Sequence, residues 1–559
     1  MTEAAGTARG SATSFERVAA ALSRQDIVWI AIAAGAITAV DLGRRILATN
    51  DEARFAMIAQ DILTRGDWLF PRLNGAPYYN KPVLLAWLIA LVSWPIGHVT
   101  QLTAVIPSAL AAVGLVLAVF ALGRDLFGRQ AGRFAALVAM TSQGVFLHAR
   151  VPMPDMLMAA LIAASMWMLW ATIRRPDSRA WLAFYALVGA AFWAKGPAGL
   201  LPLAVALIYA FRARRSGTRG SLHLVPGLAL VAVIVGAWWG LGQFGDRGAV
   251  QHAIVVDQVM WYLPKAPTIA VIVAPLRELF GIAFPWVLLL PIVLVHAIRL
   301  VRARGTEREA VFFLVLWGAV TLLMVAASSQ QRTRYYLPMV APVALLIGWW
   351  TAAGVTTHGR AEKIPWRIYG ITAVALVVAT IGLPIAKGRW LPEDAHTSIP
   401  SSVVELSVLA AALGLTVAAT LHGVLRDRLR HTFALAWAGA VIFLVAAYHG
   451  ELERRNLAFD YPRMYAEIKP LIQDGRVVAA WGIPELPLSF YFADRLVAVD
   501  TDRELRQAVA SDRRSLALLT EAALAQLAER DRAEVLMRRR VGFRPVVLVR
   551  YEATAPGTR

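Results

Sequence analysis

Two carboxylates stand side by side at Asp51 and Glu52. The stretch they open, NDEARFAMIAQDILTRGDWLFPRLNGAPYYNKP (residues 50–82), closes on Tyr78, Tyr79, Asn80 and Lys81. Three later stretches carry the same kinds of side chain. HARVPMPDML supplies His148, Arg150 and Asp155; FWAKGPAGL supplies Lys195; SSQQRTRYYLP supplies Arg332, Arg334, Tyr335 and Tyr336. Paired carboxylates with several Lys, Arg and Tyr suit displacement at a carbon that bears an anionic leaving group. The cations hold a phosphate, while a carboxylate takes a proton from the attacking hydroxyl or orients it. Each residue also has a plainer use: Asp51 and Asp155 as helix N-caps, Lys81 as a snorkelling lysine, Arg332 and Arg334 as interfacial anchors, the tyrosines as an aromatic belt. His148 and His252 read as structural.

Whether these segments meet depends on the elements between them. The chain has 559 residues, 58% hydrophobic and 17% charged, with a mean hydropathy of +0.56. Apolar runs of about 17 to 22 residues recur between residues 27 and 449, the length that crosses a bilayer core. This is the pattern of a polytopic α-helical membrane protein. The polar tail, residues 1–26, does not suit a signal peptide, so the first apolar run reads as an uncleaved span behind a cytoplasmic tail. The net charge of +19 lies mainly in short Arg-rich loops between apolar runs, which marks cytoplasmic loops and argues against nucleic acid as a partner. With no cysteine, disulfides, thiolate metal sites and cysteine nucleophiles are excluded.

The basic loops begin at Arg124, Arg174, Arg212, Arg299, Arg360 and Arg426. Pairs of apolar runs separate each from the next: 134–150 with 155–173, 180–194 with 197–211, 222–243 with 281–298, 311–327 with 335–354, and 368–386 with 402–422. Ahead of Arg124 lie runs at 27–46, 82–97 and 103–122. The middle one, short and holding Pro95 and Gly97, reads as lying at the outer interface or re-entering, which leaves about thirteen crossings. A last span over 431–449 carries the C-terminus outside. Residues 47–81, 150–155, around 195, 244–280, 328–334, 387–401 and all after 450 then share the outer side. The domains expected are a tail (1–26), a transmembrane domain (27–449) with outer loop helices in 47–81 and 244–280, and a small α/β domain (450–559). In that last part GRVVAAWG, RLVAVD, SLALLT and RPVVLVRYE read as strands and EAALAQLAERDRAEVLMRRR as helix. Residues 51–63 read as an amphipathic helix lying on the membrane, with Phe55, Ile58, Ala59, Ile62 and Leu63 on one face.

Together, the stretch from Asn50 to Pro82, RVPMPDM, AKGPAGL and RTRYYLP resemble the GT-C glycosyltransferases of the protein O-mannosyltransferase superfamily, in its bacterial aminoarabinose (lipid A) transferase-like branch. The resemblance implies a GT-C fold in the bacterial inner membrane with the active site and C-terminal domain in the periplasm. It implies a polyprenyl-phosphate-sugar donor, such as undecaprenyl phosphate-linked 4-amino-4-deoxy-L-arabinose, and lipid A or an envelope glycan as acceptor. Carried over by motif, Asp51 is the essential outer-loop aspartate and Asp155 the second, while Lys81 faces the donor phosphate with Tyr78 and Tyr336 near it. From the residues themselves, Glu52 joins the two aspartates as a catalytic candidate, and Arg332 and Arg334 join Lys81 as candidates to bind the donor phosphate. Such enzymes carry an acidic residue before the lysine where this chain has Asn80, which leaves a divalent metal and the identity of the sugar open; no other cofactor is implied. The rivals are a secondary transporter, a protein O-mannosyltransferase-type enzyme acting on protein, and a sensor whose membrane part is inert. A transporter calls for ionisable residues at span centres, and here the acidic residues avoid them.

Overall fold

The structure is a computed structural model describing residues 14–215, 222–243, 269–303, 305–328, 331–357, 369–372, 375, 403–426, 429–472, 476–492, 496–509, 515–527 and 533–551. The loop stretch with His252, the run 376–400 and the basic residues from Arg360 to Arg367 lie outside them.

Helix α1 (Ser14–Ala39) carries buried Asp26, whose carboxylate takes Arg129 and Arg133, each at 2.5 Å. Those arginines open α5 (Arg129–Met140), directly after α4 (Gln101–Phe127). At the other end of α4, the Val99 N–H donates to Gln60 on α2 (Asn50–Arg65) at 2.8 Å. The helix α3 (Leu84–Ser93) stays at that second end; its ten residues rise about 15 Å, half a bilayer core. Residues 26 and 129 thus share one end of the bundle, and the 50–82 stretch occupies the opposite one.

The α2 apolar face is packed against protein: Phe55, Ile58, Ala59 and Ile62 are at most 3% exposed and cluster with Leu85, Ala86 and Ile89 of α3. This corrects the expectation of a helix resting on lipid; Leu63 alone stays at the margin of the cluster. Beyond α2, strands β1 (Arg72–Leu73) and β2 (Ala76–Pro77) form a minimal hairpin. Its turn is Asn74-Gly75, both with positive φ (54° and 82°), the dipeptide a two-residue primed turn requires.

The run expected as one span over 134–150 is two helices, α5 and α6 (Gln143–His148). The hydroxyls of Thr141 and Ser142 donate to the Leu137 and Val138 carbonyls (2.7 and 2.8 Å), while Gln143 N–H donates to Phe284 O (2.9 Å). Side chains and a neighbouring segment thereby satisfy the backbone groups that the break releases. Then come α7 (Pro154–Arg174), α8 (Ala180–Lys195), α9 (Leu201–Arg215), α10 (Leu224–Gln243), α11 (Ile269–Ala283), α12 (Leu290–Arg302), α13 (Arg308–Ala326), α14 (Val340–Thr357), α15 (Val403–Arg426) and α16 (Leu429–Ala458). Among the described residues, five helices are long and apolar enough to cross a membrane, a bent pair (118°) is a sixth candidate, and five further apolar helices are shorter. The molecule is a many-helix membrane protein.

The boundary expected at 450 falls inside α16, which runs on to α17 (Tyr461–Ile472) and a five-stranded sheet of order β4-β3-β5-β7-β6. Strands β3 (Arg476–Trp481), β4 (Val497–Val499), β5 (Ser515–Thr520) and β7 (Arg544–Tyr551) match the four expected runs, and α18 (Glu485–Phe492) and α19 (Asp502–Val509) connect them. The expected helix over 521–540 is a correction. Among the described residues of that run only Glu521–Leu524 is helical, and Ala533–Val541 is strand β6. A tight turn at Gly542 (φ 60°) folds β6 back onto β7, where Glu534 lies opposite Arg550 and accepts from it at 2.9 Å. Cross-strand pairing outweighs the helix propensity of Ala, Glu, Leu and Arg.

The turn between α8 and α9 admits no side chain at Gly199, because an added Cβ would lie 2.2 Å from the Ala191 carbonyl carbon. Gly199→Ala is expected to destabilise the protein by about 1–3 kcal/mol, read as a lowered Tm in detergent by tryptophan fluorescence; an unchanged Tm contradicts this packing.

Candidate active site

Asp51, in the first turn of α2, points into a cavity of about 470 Å³ that Tyr78, Asn80, Lys81, Asp155, Lys195, Arg332, Arg334 and Tyr335 also line. That volume lies within the range of small-molecule sites. Asp51 Oδ2 accepts from Arg332 and Arg334, both at 2.8 Å, and Oδ1 pairs with Arg54 at 3.1 Å. Burial works to raise the Asp51 pKa, but the pull of Arg334, then Arg54 and Arg332, outweighs it and holds the carboxyl at about 2.

Asp155 follows Pro154 in the first turn of α7 and is 1% exposed. It accepts a hydrogen bond from Lys195, the last residue of α8, itself 3% exposed. Arg334 Nε stands 3.9 Å from Asp155, so one guanidinium joins the two aspartates. The Lys195 ammonium also lies 4.0 Å from the Tyr335 ring centroid, a cation–π distance. Lys81 lines the same cavity and, among the described residues, makes no hydrogen bond or ion pair. Its pKa is lowered, by burial first and then by the neighbouring Lys195 charge. The cavity thus sets two carboxylates against five cationic side chains, a surplus of three positive charges.

Of the residues singled out in the sequence, Asp51, Asp155, Lys81, Tyr78, Arg332 and Arg334 converge here. Glu52 and Tyr336 do not. Glu52 completes a capping box with Thr49, accepts from Arg45 and Arg455 at 2.9 Å and from Ala48 N–H at 2.8 Å, and borders a second cavity of about 490 Å³. Burial raises its pKa, while Arg45 and then Arg455 pull it down to about 2. Tyr336 is fully buried and donates to Gln331, whereas Tyr335 faces the cavity. The two lie in a 3₁₀ segment (Thr333–Met339), where successive residues turn by about 120°. Arg54 was missed; its i,i+3 spacing from Asp51 was the available signal. His148 hydrogen-bonds Gly144 O at 2.8 Å and borders the second cavity. Among the described residues no group of three or more His, Asp or Glu could hold a metal ion. Both cavity carboxylates are paired with cations.

A family model described as dolichyl-phosphate-mannose-protein mannosyltransferase matches residues 80–239. The chain is 28% identical over 467 residues, 78% of each chain, to the undecaprenyl phosphate-α-4-amino-4-deoxy-L-arabinose arabinosyl transferase of Pectobacterium atrosepticum. It is 30% identical over 340 residues to a like-named transferase of Pseudomonas fluorescens, covering 57% of this chain and 58% of that one. The crystal structure of ArnT from Cupriavidus metallidurans bound to undecaprenyl phosphate superposes with a TM-score of 0.70 at 19% identity, over 95% of this chain and 99% of that one. Its apo form gives 0.72 at 18% identity, over 96% and 100%. The chain thus shares the fold of the crystallised transferase, and its residues 80–239 match the mannosyltransferase family model. It is similar to the bacterial aminoarabinose transferases, as its motifs suggested.

Two outcomes test this geometry. Removing one partner of a buried ion pair strands the other, at a cost of about 3–5 kcal/mol, so Lys195→Met should lower Tm sharply and Asp155→Asn/Lys195→Met should recover part of the loss. The depressed Glu52 pKa stabilises the fold above pH 4.5 and that contribution fades as pH falls towards 2. The Tm difference between wild type and Glu52→Gln should therefore shrink on acidification below pH 4.5; a constant difference contradicts the assignment.

Proposed function

We propose that the protein is an inner-membrane enzyme that transfers a sugar, 4-amino-4-deoxy-L-arabinose or a related one, from an undecaprenyl phosphate donor to lipid A at the periplasmic face. The observation that carries the reading is Lys81, half-buried and without a hydrogen bond or ion pair among the described residues, in a cavity with surplus positive charge beside two aspartates. The names of the relatives support the donor. The orientation draws support from Arg124, Arg129 and Arg133 at the end of the bundle remote from Asp51, the end that the positive-inside rule assigns to the cytoplasm.

In this reaction an acceptor oxygen attacks the anomeric carbon. The bond from that carbon to the phosphate oxygen breaks, and undecaprenyl phosphate leaves with the electron pair, inverting the anomeric centre. Lys81, with Arg332 or Arg334 and Tyr78, neutralises the departing phosphate. A carboxylate held at about 2 by three arginines is too weak a base to take a proton from a hydroxyl at neutral pH. A lipid A phosphate is already ionised and needs no base, so that acceptor fits Asp51 better than a protein or glycan hydroxyl does. Asp51 then orients the acceptor through its arginines and stabilises positive charge growing on the sugar ring.

Purified protein in nanodiscs given undecaprenyl phosphate-aminoarabinose and lipid A should release undecaprenyl phosphate and add one sugar mass to lipid A. Asp51→Asn should lower kcat roughly 10²- to 10³-fold, and Lys81→Ala should chiefly weaken use of the donor. Wild-type turnover in Asp51→Asn contradicts the mechanism.

A further inference from the structure

Several polar groups of the segment bearing Asp51 are held by the end of α16 and by α18 of the C-terminal part. Asn456 accepts from Ile46 N–H (3.0 Å) and donates to Arg44 O (2.8 Å). Tyr491 on α18 accepts from Leu47 N–H at 2.9 Å and from Gln101 at 2.6 Å. Asn50 uses both ends of its amide: Nδ2 donates to Glu485 at 2.9 Å, and Oδ1 accepts from Leu486 N–H at 3.2 Å. Glu485 and Leu486 begin α18, so Asn50 satisfies an N–H that the first turn of another helix leaves without an intrahelical partner. Leu486 is 4% exposed and belongs to the apolar cluster of Ala53, Phe55 and Ala56 on α2.

Successive helical residues point about 100° apart, so Asn50, Asp51 and Glu52 leave α2 in three directions. Each meets a different anchor: Asn50 the first turn of α18, Asp51 the arginines of the cavity, Glu52 the pair Arg45 and Arg455. A small rotation of α2 about its axis would carry Asp51 off Arg332 and Arg334, and the other two anchors oppose that rotation. The apolar contacts alone leave it less constrained, because they are non-directional.

We infer that the C-terminal domain is a working part of the active site, with Asn50 as a positioning residue that fixes the rotation of α2 through Glu485 and Leu486 and so holds Asp51 against Arg332 and Arg334. This rests on the glycosyl transfer proposed above. Asn50 touches no reacting atom; it acts through the aspartate beside it.

The test uses the full-length protein in nanodiscs with undecaprenyl phosphate-aminoarabinose and lipid A. Asn50→Ala should lower kcat roughly 10- to 100-fold with the donor KM little changed. Glu485→Ala should do the same, Glu485→Gln, which keeps an acceptor oxygen for Asn50, should stay close to wild type, and Asn50→Ala/Glu485→Ala should be no worse than Asn50→Ala alone. Hydrogen exchange of the amides of residues 51–56 should quicken in Asn50→Ala while the Tm of the whole protein holds. Unaltered exchange overturns the inference whether or not turnover is seen; so do additive losses in the double variant, or a fall in kcat matched by a fall in folded protein. A wild type that transfers no sugar but shows the quickened exchange in Asn50→Ala sinks the assigned reaction and leaves the positioning contact standing.

Discussion

Arg334 is the side chain on which the rest of the site depends. It bonds Asp51 at 2.8 Å and stands 3.9 Å from Asp155, tying α2 to α7 through a segment far along the chain. Buried carboxylates are stable only when matched by cations and hydrogen bonds. Remove this guanidinium, and Asp155 keeps Lys195 while Asp51 keeps two more exposed arginines, but the charged link between the two carboxylates is lost. Their relative placement would then rest on apolar packing, such as that of Leu157 on α7 against the cluster shared by α2 and α3.

The placement of charge follows helix electrostatics. Asp51 and Asp155 both occupy first turns and Lys195 closes α8. Helix N-termini favour anions and C-termini favour cations, each by a fraction of a kcal/mol to about 1 kcal/mol at exposed positions. Ionised groups that would be costly within the apolar part of the bundle thus gather where helix ends meet. Breaks between helices create such ends: Gly196, with φ 82°, stops α8 at Lys195, and Pro154 starts α7 one residue before Asp155. The site is built from terminations as much as from helices.

Much of this was legible in the sequence because the signals were local. Hydropathy marked a membrane protein, and an acidic pair ahead of an apolar-periodic run marked the start of α2. Four of the five strands of the C-terminal sheet stood out as short runs of β-formers. What escaped depends on direction or on distant partners. Adjacent residues on a helix face different ways, so Asp51 and Glu52 part company, and Tyr335 rather than Tyr336 reaches the cavity. Residues 533–541 pair as an edge strand because β7 offers them a partner. The apolar side of α2 meets α3 rather than lipid, which periodicity alone does not distinguish. The break at Thr141–Ser142 relies on Trp286 and Phe284, more than a hundred residues away along the chain.

The central claim is that side chains scattered along the chain form one charged pocket on the non-cytoplasmic face. The absence of cysteine allows single cysteines to report on it, through labelling with a membrane-impermeant maleimide in spheroplasts and in inside-out vesicles. Cysteines replacing Asp51 and Arg332 should both react from the spheroplast exterior, and one replacing Asp125, beside the Arg129 end of the bundle, only in inverted vesicles. Labelling of positions 51 and 332 from opposite faces would contradict the account, since no common pocket could then exist.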